Sequence, residues 1–380
     1  MPELSLAGTS HKPIVHNGDN NGGIIGYGTQ VFFNIIQKVT FLDKRGGPDE
    51  RPGQHANAAA DYEGPEPCIE HESCRNHLAA NYSTEDLITA AGRGDLARVS
   101  GLISYHEVDV NGIDSCGHTA LHEAAKNGQT EMCVALIKNH AANTRTKTLF
   151  GMTAMELAAR NGHIGVIKAM VSLKPDSRAS QQELLSRALL ATANGRMDSA
   201  EVTLYLLDQG ADVHAQQKCS GTPLHLAARN GLANVTRALL SARDINTNAS
   251  SPHGRTALHE AAASGHAGIV RLLLDNGAEA DTATDSGEKP LHAAIHGGHN
   301  EAFRILLPKT SNLDDLCGFG ETALCMASEQ GNLEMVEALL SSGANPTVES
   351  ESGEAAMDIA SRLRREDIVD RLRRAVYSAN

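Results

Sequence analysis

The chain has 380 residues, of which 41% are hydrophobic and 3% aromatic, with seven cysteines and a formal net charge of −13 at pH 7. The negative charge argues against nonspecific binding to nucleic acid or to an anionic membrane. The odd number of cysteines, the lack of a CxxC pair and the lack of an apolar run long enough to span a bilayer predict an intracellular location, in the cytoplasm, the nucleus or both.

Residues 1–82 are rich in glycine and show no helical periodicity, so we expect this N-terminal arm to be largely disordered. Within it, residues 26–42 (GYGTQVFFNIIQKVTFL) are rich in β-branched and aromatic residues and contain no proline. That composition is typical of a β segment that can self-associate. The alternative is an apolar patch that docks on the first repeat or folds with a partner.

The arm also contains a CxxHxxCxxH string, formed by Cys68, His71, Cys74 and His77. These side chains are zinc ligands by type, but their even spacing matches no common zinc fold. We therefore predict no metal site and no cofactor. A zinc-binding or catalytic activity in the arm stays an alternative.

From residue 83 onward a glycine recurs with successive spacings of 34, 34, 33, 36, 34, 33 and 33. A period held over seven intervals indicates stacked repeats. Thr119, Thr222 and Thr256 each precede a first helix and can cap it, and the glycine permits the tight turn that ends the helix. The residue seven positions before each glycine should be buried. These positions are Leu87, Leu121, Met155, Ala188, Leu224, Leu258, Leu291 and Leu324.

The phrases GHTALHEAAKNG, ending at Gly128, and GTPLHLAARNG, ending at Gly231, resemble ankyrin repeats. The resemblance implies an all-α repeat solenoid, an ankyrin array of about nine helix-turn-helix units with hairpin loops, over residues 83–380. The last unit has Arg364 where the turn glycine is expected, and it should cap the array. The unit around Gly195 lacks the TPLH phrase and carries about three extra residues, so we expect it to be distorted.

The resemblance gives a structural role to the histidine of the TPLH phrase, bonded to backbone and to the capping threonine. It also places partner contacts on the concave face, at the hairpin tips and at the two residues before each turn glycine. Early units carry cations there, late units mainly carboxylates, and one tip carries three apolar residues. The predicted contact residues are Lys126, Leu149, Phe150, Met152, Arg160, Lys218, Arg229, His253, Arg255, Glu288, Phe319, Glu321 and Glu329.

No catalytic motif is complete, so we predict a non-catalytic scaffold for protein–protein interaction that binds one protein partner. The array should be monomeric, with no small-molecule substrate, direct nucleic-acid contact or membrane contact. Two further alternatives are an inhibitor or co-regulator of a transcription factor and a signalling adaptor that self-associates through residues 26–42.

Overall fold

The computed structural model describes residues 82–173, 178–216, 220–318 and 320–379. All of them belong to one unit, His77–Asn380. Over these ranges the chain forms eighteen α-helices, arranged as nine consecutive pairs, and no β-strand. The predicted all-α repeat solenoid is therefore confirmed, whereas the predictions for residues 1–81 lie outside the described residues.

In each pair a first helix is followed by a second helix, and a short 3₁₀ helix (Leu307–Lys309) follows α14. The helices are α1 (Thr84–Arg93), α2 (Leu96–Ser104), α3 (Ala120–Lys126), α4 (Thr130–Asn139), α5 (Ala154–Arg160), α6 (Ile164–Leu173), α7 (Arg178–Ala193), α8 (Ala200–Asp208), α9 (Pro223–Arg229), α10 (Ala233–Leu240), α11 (Ala257–Ala263), α12 (Ala267–Asp275), α13 (Pro290–His296), α14 (Asn300–Leu306), α15 (Ala323–Gln330), α16 (Leu333–Ser341), α17 (Ala356–Arg362) and α18 (Glu366–Ala379).

Most first helices begin at a capping box, in which the N-cap residue and the residue three positions later each accept a hydrogen bond from the other's backbone N–H. The threonines in the sequence predict these caps. At α3 the Thr119 N–H donates to His122 Nδ1 at 3.1 Å, while the His122 N–H lies 3.4 Å from Thr119 Oγ1. The other imidazole nitrogen, Nε2, donates to the carbonyl of Thr146 in the next unit at 3.0 Å. The histidine therefore caps its own helix and joins two units, which is the structural role that the resemblance implies.

First helices pack on first helices and second helices on second helices along the array. All eight positions predicted to be buried are buried, from Leu87 at 0% exposure to Met155 at 8%. Alanine pairs such as Ala124 and Ala125 are fully buried, and their small side chains let neighbouring helices approach closely. Each core contact is therefore local to adjacent units.

The turn that ends each first helix is left-handed in most units, with φ of +75° at Gly128 and Gly231. Arg364 takes the same conformation, with φ of +56°, although its side chain disfavours it. Gly195 does not have a positive φ. A Cβ there would lie 2.5 Å from the carbonyl oxygen of Arg160, so close packing, not turn geometry, requires this glycine.

The unit around Gly195 is irregular, as predicted. Its first helix, α7, has 16 residues, whereas α5 and α9 have seven each. Glu156 occupies the TPLH histidine position in α5, and its buried carboxylate is ion-paired with Arg187 of α7. This ion pair joins the two units where the histidine link is missing.

Candidate protein-binding surface

The hairpin before α5 carries two strongly exposed apolar side chains, with Leu149 75% and Phe150 62% exposed. The Leu149 N–H donates to the carbonyl of Cys116 in the preceding hairpin at 3.1 Å, so the tip is tied to its neighbour. Met152 is only half-exposed, and its sulfur lies 3.7 Å from Arg160 Nη1. Two of the three predicted apolar residues are thus strongly exposed, and we call them the apolar tip.

Arg160 ends α5 and contacts the same hairpin through Met152. Within the described ranges, no carboxylate lies within 4.0 Å of its guanidinium or of the exposed Arg196. Burial lowers the pKa of Arg160, and repulsion from Arg196 lowers it further. Two neighbouring guanidinium groups that have no ion pair among the described residues can bind a carboxylate or another anion from outside the chain.

Arg229 and Arg255, two of the cations predicted for the early units, are ion-paired within the array. Glu260 accepts from Arg229 Nε at 2.8 Å and from Arg255 Nε at 3.0 Å, and Arg255 Nη1 lies 2.7 Å from a Glu288 oxygen. Burial acts to raise the pKa of Glu260, but Arg229 and Arg255 together hold it below its ordinary value. These charges form an internal ladder that links three units, so much of their charge is already neutralised.

Carboxylates predominate at the predicted contact positions of the late units. In the part of the chain that the structure describes, Glu321 and Glu329 have no ion pair within 4.0 Å. Burial raises the pKa of Glu321, and repulsion from Glu329 raises it further. Glu354 differs, because Arg362 Nε and Nη2 bind its two oxygens at 3.0 and 3.1 Å.

The remaining predicted residues are scattered. Lys126 is exposed and lies 3.1 Å from Glu123 on its own helix, and His253 is exposed at its hairpin tip. Lys218 and Phe319 lie outside the described residues, as do residues 26–42. The zinc-type string of the arm lies outside them too: Cys68, His71, Cys74 and His77.

Sequence reasoning missed two features of this surface. The first is Glu260, which follows His259 in an HEAA phrase and is not among the predicted contact residues. The second is Arg196, which lies in the irregular unit where the repeat register gives no assignment. A usable signal for Glu260 would have been a carboxylate directly after the TPLH histidine, with one arginine 31 residues before it and a second arginine five residues before it.

Comparison with known proteins places the fold in a family. A family model of ankyrin repeats, in three copies, matches residues 87–181, 189–284 and 277–350. The chain therefore belongs to the ankyrin-repeat family. Ankyrin repeats generally mediate protein–protein interaction, and the fold is typically non-catalytic.

Several curated relatives match parts of the chain. The E3 ubiquitin-protein ligase KEG of Arabidopsis thaliana is 29% identical over 189 residues, 47% of this chain and 12% of the relative. The E3 ubiquitin-protein ligase XBAT33 of the same plant is 45% identical over 74 residues, 20% of this chain and 14% of the relative. Human Rabankyrin-5 is 26% identical over 250 residues, 55% of this chain and 21% of the relative. The chain thus spans between about an eighth and a fifth of these relatives' lengths.

No helix in the described ranges is both long enough and apolar enough to cross a bilayer.

Proposed function

We propose that the chain is a non-catalytic scaffold that binds one protein partner along the concave face of the array, formed by the hairpin tips and the first helices. The apolar tip carries this proposal, because Leu149 and Phe150 are exposed on a hairpin that is held by its neighbour. An exposed pair of large apolar side chains on an ordered support is typical of a binding anchor. The ankyrin family supplies the general role.

The charges of the early and late units differ in sign, which would orient the partner along the array. Among the described residues, no carboxylate is ion-paired with Arg160 or Arg196 near the apolar tip, and no cation is ion-paired with Glu321 or Glu329 in the late units. The ladder of Arg229, Glu260, Arg255 and Glu288 between them is self-neutralised. The partner would then present an acidic group and an apolar side chain to the early units and a basic group to the late units.

The test is quantitative affinity purification with the full chain as bait, followed by calorimetry on the protein recovered. Phe150→Ala should weaken binding by about 1–3 kcal/mol if this side chain is desolvated by the partner. Arg160→Glu should mainly slow association and weaken its salt dependence. Folding should survive both changes because neither side chain is in the stacked core.

Tyr377 supplies a matched control, since it is an aromatic residue that is 75% exposed but lies on the last helix, away from the hairpins. Tyr377→Ala should bind as the wild type does. If Phe150→Ala and Arg160→Glu also bind as the wild type does, with unchanged stability, the partner does not use this face.

Several finer assignments belong to the same proposal. The described cysteines are Cys116, Cys133, Cys317 and Cys325, all free, which fits a reduced intracellular compartment.

The narrower role, inhibition or co-regulation of a transcription factor, predicts nuclear accumulation and recovery of a DNA-binding protein in the purification. A partner of any other class would exclude that role and leave the scaffold proposal intact.

A further inference from the structure

The hairpins share one backbone geometry, so their side chains can be compared position by position. In the 114–118 hairpin the Asp114 N–H donates to the His118 carbonyl at 2.9 Å, and the Gly117 N–H donates to the Asp114 carbonyl at 3.0 Å. The same two bonds recur between Thr148 and Met152 at 2.9 Å and between Gly151 and Thr148 at 2.8 Å. The backbone hydrogen bonds therefore fix where the first, third and fifth residues of these two hairpins lie, whichever side chains those residues carry.

At these three positions the 114–118 hairpin carries Asp114, Cys116 and His118, one carboxylate, one thiol and one imidazole. The next hairpin has threonine, phenylalanine and methionine there. Among the described residues, the 114–118 hairpin is the one place where three side chains of metal-binding type bring a ligand atom within 4.8 Å of one another. Among the described hairpins, which share this backbone geometry, the 114–118 hairpin is thus the one that carries three possible metal ligands.

The carboxylate of this cluster is held in place. Asp114 Oδ1 accepts from the Cys116 N–H at 2.8 Å and from the His118 N–H at 2.7 Å, and Oδ2 lies 3.3 Å from His118 Nδ1. The Asp114 side chain therefore has one oxygen anchored by two backbone N–H groups and the other beside the imidazole.

The distances between the three ligand atoms need little adjustment for the side chains to bind a metal ion. Donor atoms around a tetrahedral zinc ion are roughly 3.3–3.8 Å apart, as follows from bond lengths of about 2.0–2.3 Å. Cys116 is exposed, so rotation of its side chain can close a gap of about one ångström without disturbing the core. Thiolate and imidazole favour zinc over calcium or magnesium, which prefer oxygen ligands.

We propose that Asp114, Cys116 and His118 form a zinc site with three protein ligands and a fourth position that is open to solvent. On binding, the Cys116 thiol transfers its proton to solvent and its sulfur forms a bond to the ion, so the affinity rises with pH. This site goes beyond the proposed scaffold function, because it requires no partner.

The test is titration of the full-length chain with Co²⁺ and then with Zn²⁺. The wild type should develop a thiolate-to-cobalt charge-transfer band that Zn²⁺ abolishes, and a competing chromophoric chelator gives the zinc affinity. Cys116→Ser should remove the band, and Cys116→Ser, His118→Ala and Asp114→Asn should each weaken zinc binding at least about tenfold. Asp114→Asn keeps an oxygen acceptor for the hairpin, so its effect reports the lost charge.

Two controls separate this site from other zinc ligands. The double variant Cys68→Ser/Cys74→Ser removes the thiols of the arm, and His253→Ala removes an exposed histidine from the third position of another hairpin. Both should keep the band and the affinity of the wild type, with unchanged circular dichroism in every variant. A band that survives Cys116→Ser, a band that disappears in the arm variant, or equal zinc affinity in the wild type and Cys116→Ser would each overturn the proposal.

Discussion

Acid should weaken the array through His259, which is fully buried in α11 and bonded to the Glu288 carbonyl of the next unit at 2.9 Å. Burial lowers the pKa of His259 to about 4, with a smaller opposing effect from that hydrogen bond. In the unfolded chain the imidazole returns to a pKa of about 6.5. Because the unfolded state then binds the proton more tightly, the stability from neutral His259 is fully present above about pH 6.5 and is lost as the pH falls toward 4.

The size of this effect follows from the two pKa values. The complete shift corresponds to about 3 kcal/mol, and roughly 2 kcal/mol of it is lost between about pH 7.5 and pH 5. Few carboxylates titrate in that interval, so the histidines dominate it. The nearby charges act in opposite directions: Arg255 lowers the pKa of His259 and Glu260 raises it.

His259→Gln is the informative variant because glutamine keeps a polar side chain but does not titrate. It should be less stable than the wild type at about pH 7.5, yet lose about 2 kcal/mol less stability on acidification to about pH 5. Urea unfolding followed by circular dichroism gives the global value. Hydrogen exchange of the α11 amides gives the local value, since repeat arrays can unfold in parts.

His253→Gln is the matched control, since His253 is exposed on the hairpin just before α11. Its stability should depend on pH as that of the wild type does. If His259→Gln also shows the wild-type pH dependence, the buried imidazole does not control acid stability and the reasoning is wrong.

Further predictions concern the turns and the ladder, each checked by urea unfolding of the full chain. Gly268→Ala should stabilise by about 0.5–1 kcal/mol, because this helical glycine faces open space. Gly265→Ala should destabilise by more than about 1 kcal/mol, because φ is +74° and the new Cβ would lie 2.5 Å from the next unit's imidazole; equal effects at the two glycines would contradict this. Arg364→Gly should stabilise by up to about 1 kcal/mol by relieving a left-handed arginine, and a loss of stability would refute it. Glu260→Gln should destabilise by about 1–3 kcal/mol, whereas the exposed, unpaired Glu329→Gln should be neutral; similar effects would show that the ladder contributes nothing.

The helix boundaries could be predicted because their causes are local in the sequence. Thr119 caps α3 through a histidine three residues away, and Gly128 turns the chain by its own φ. The register derived from these residues even located Arg364 at a glycine position, where it adopts the glycine conformation. The caps and turns could be predicted because each depends on residues that lie within one repeat.

Interactions between units were harder to predict because both partners must be placed in space. A second series of histidines, which includes His163, His266 and His299, follows the turn glycines, and a single repeat gives no partner for it. His266 Nε2 donates to the Arg229 carbonyl at 3.0 Å, 37 residues away, and its ring packs where a Cβ of Gly231 would lie. The glycine thus serves both the turn and the stacking, and only the turn could be derived from a single repeat.

The sequence gives the charges at the predicted contact positions, but it does not show which of them are ion-paired within the array. Arg229 and Arg160 occupy the same repeat position, one residue before the asparagine that precedes the turn glycine. Arg229 reaches Glu260 of the next unit, whereas the irregular unit after Arg160 has Leu190 at the position equivalent to Glu260 and places Arg196 close enough to repel Arg160. Among the described residues, this unit therefore leaves Arg160 and Arg196 without an ion pair beside the apolar tip. Because these charges have no ion pair among the described residues, an irregular repeat of this kind is a candidate contact site in an ankyrin array.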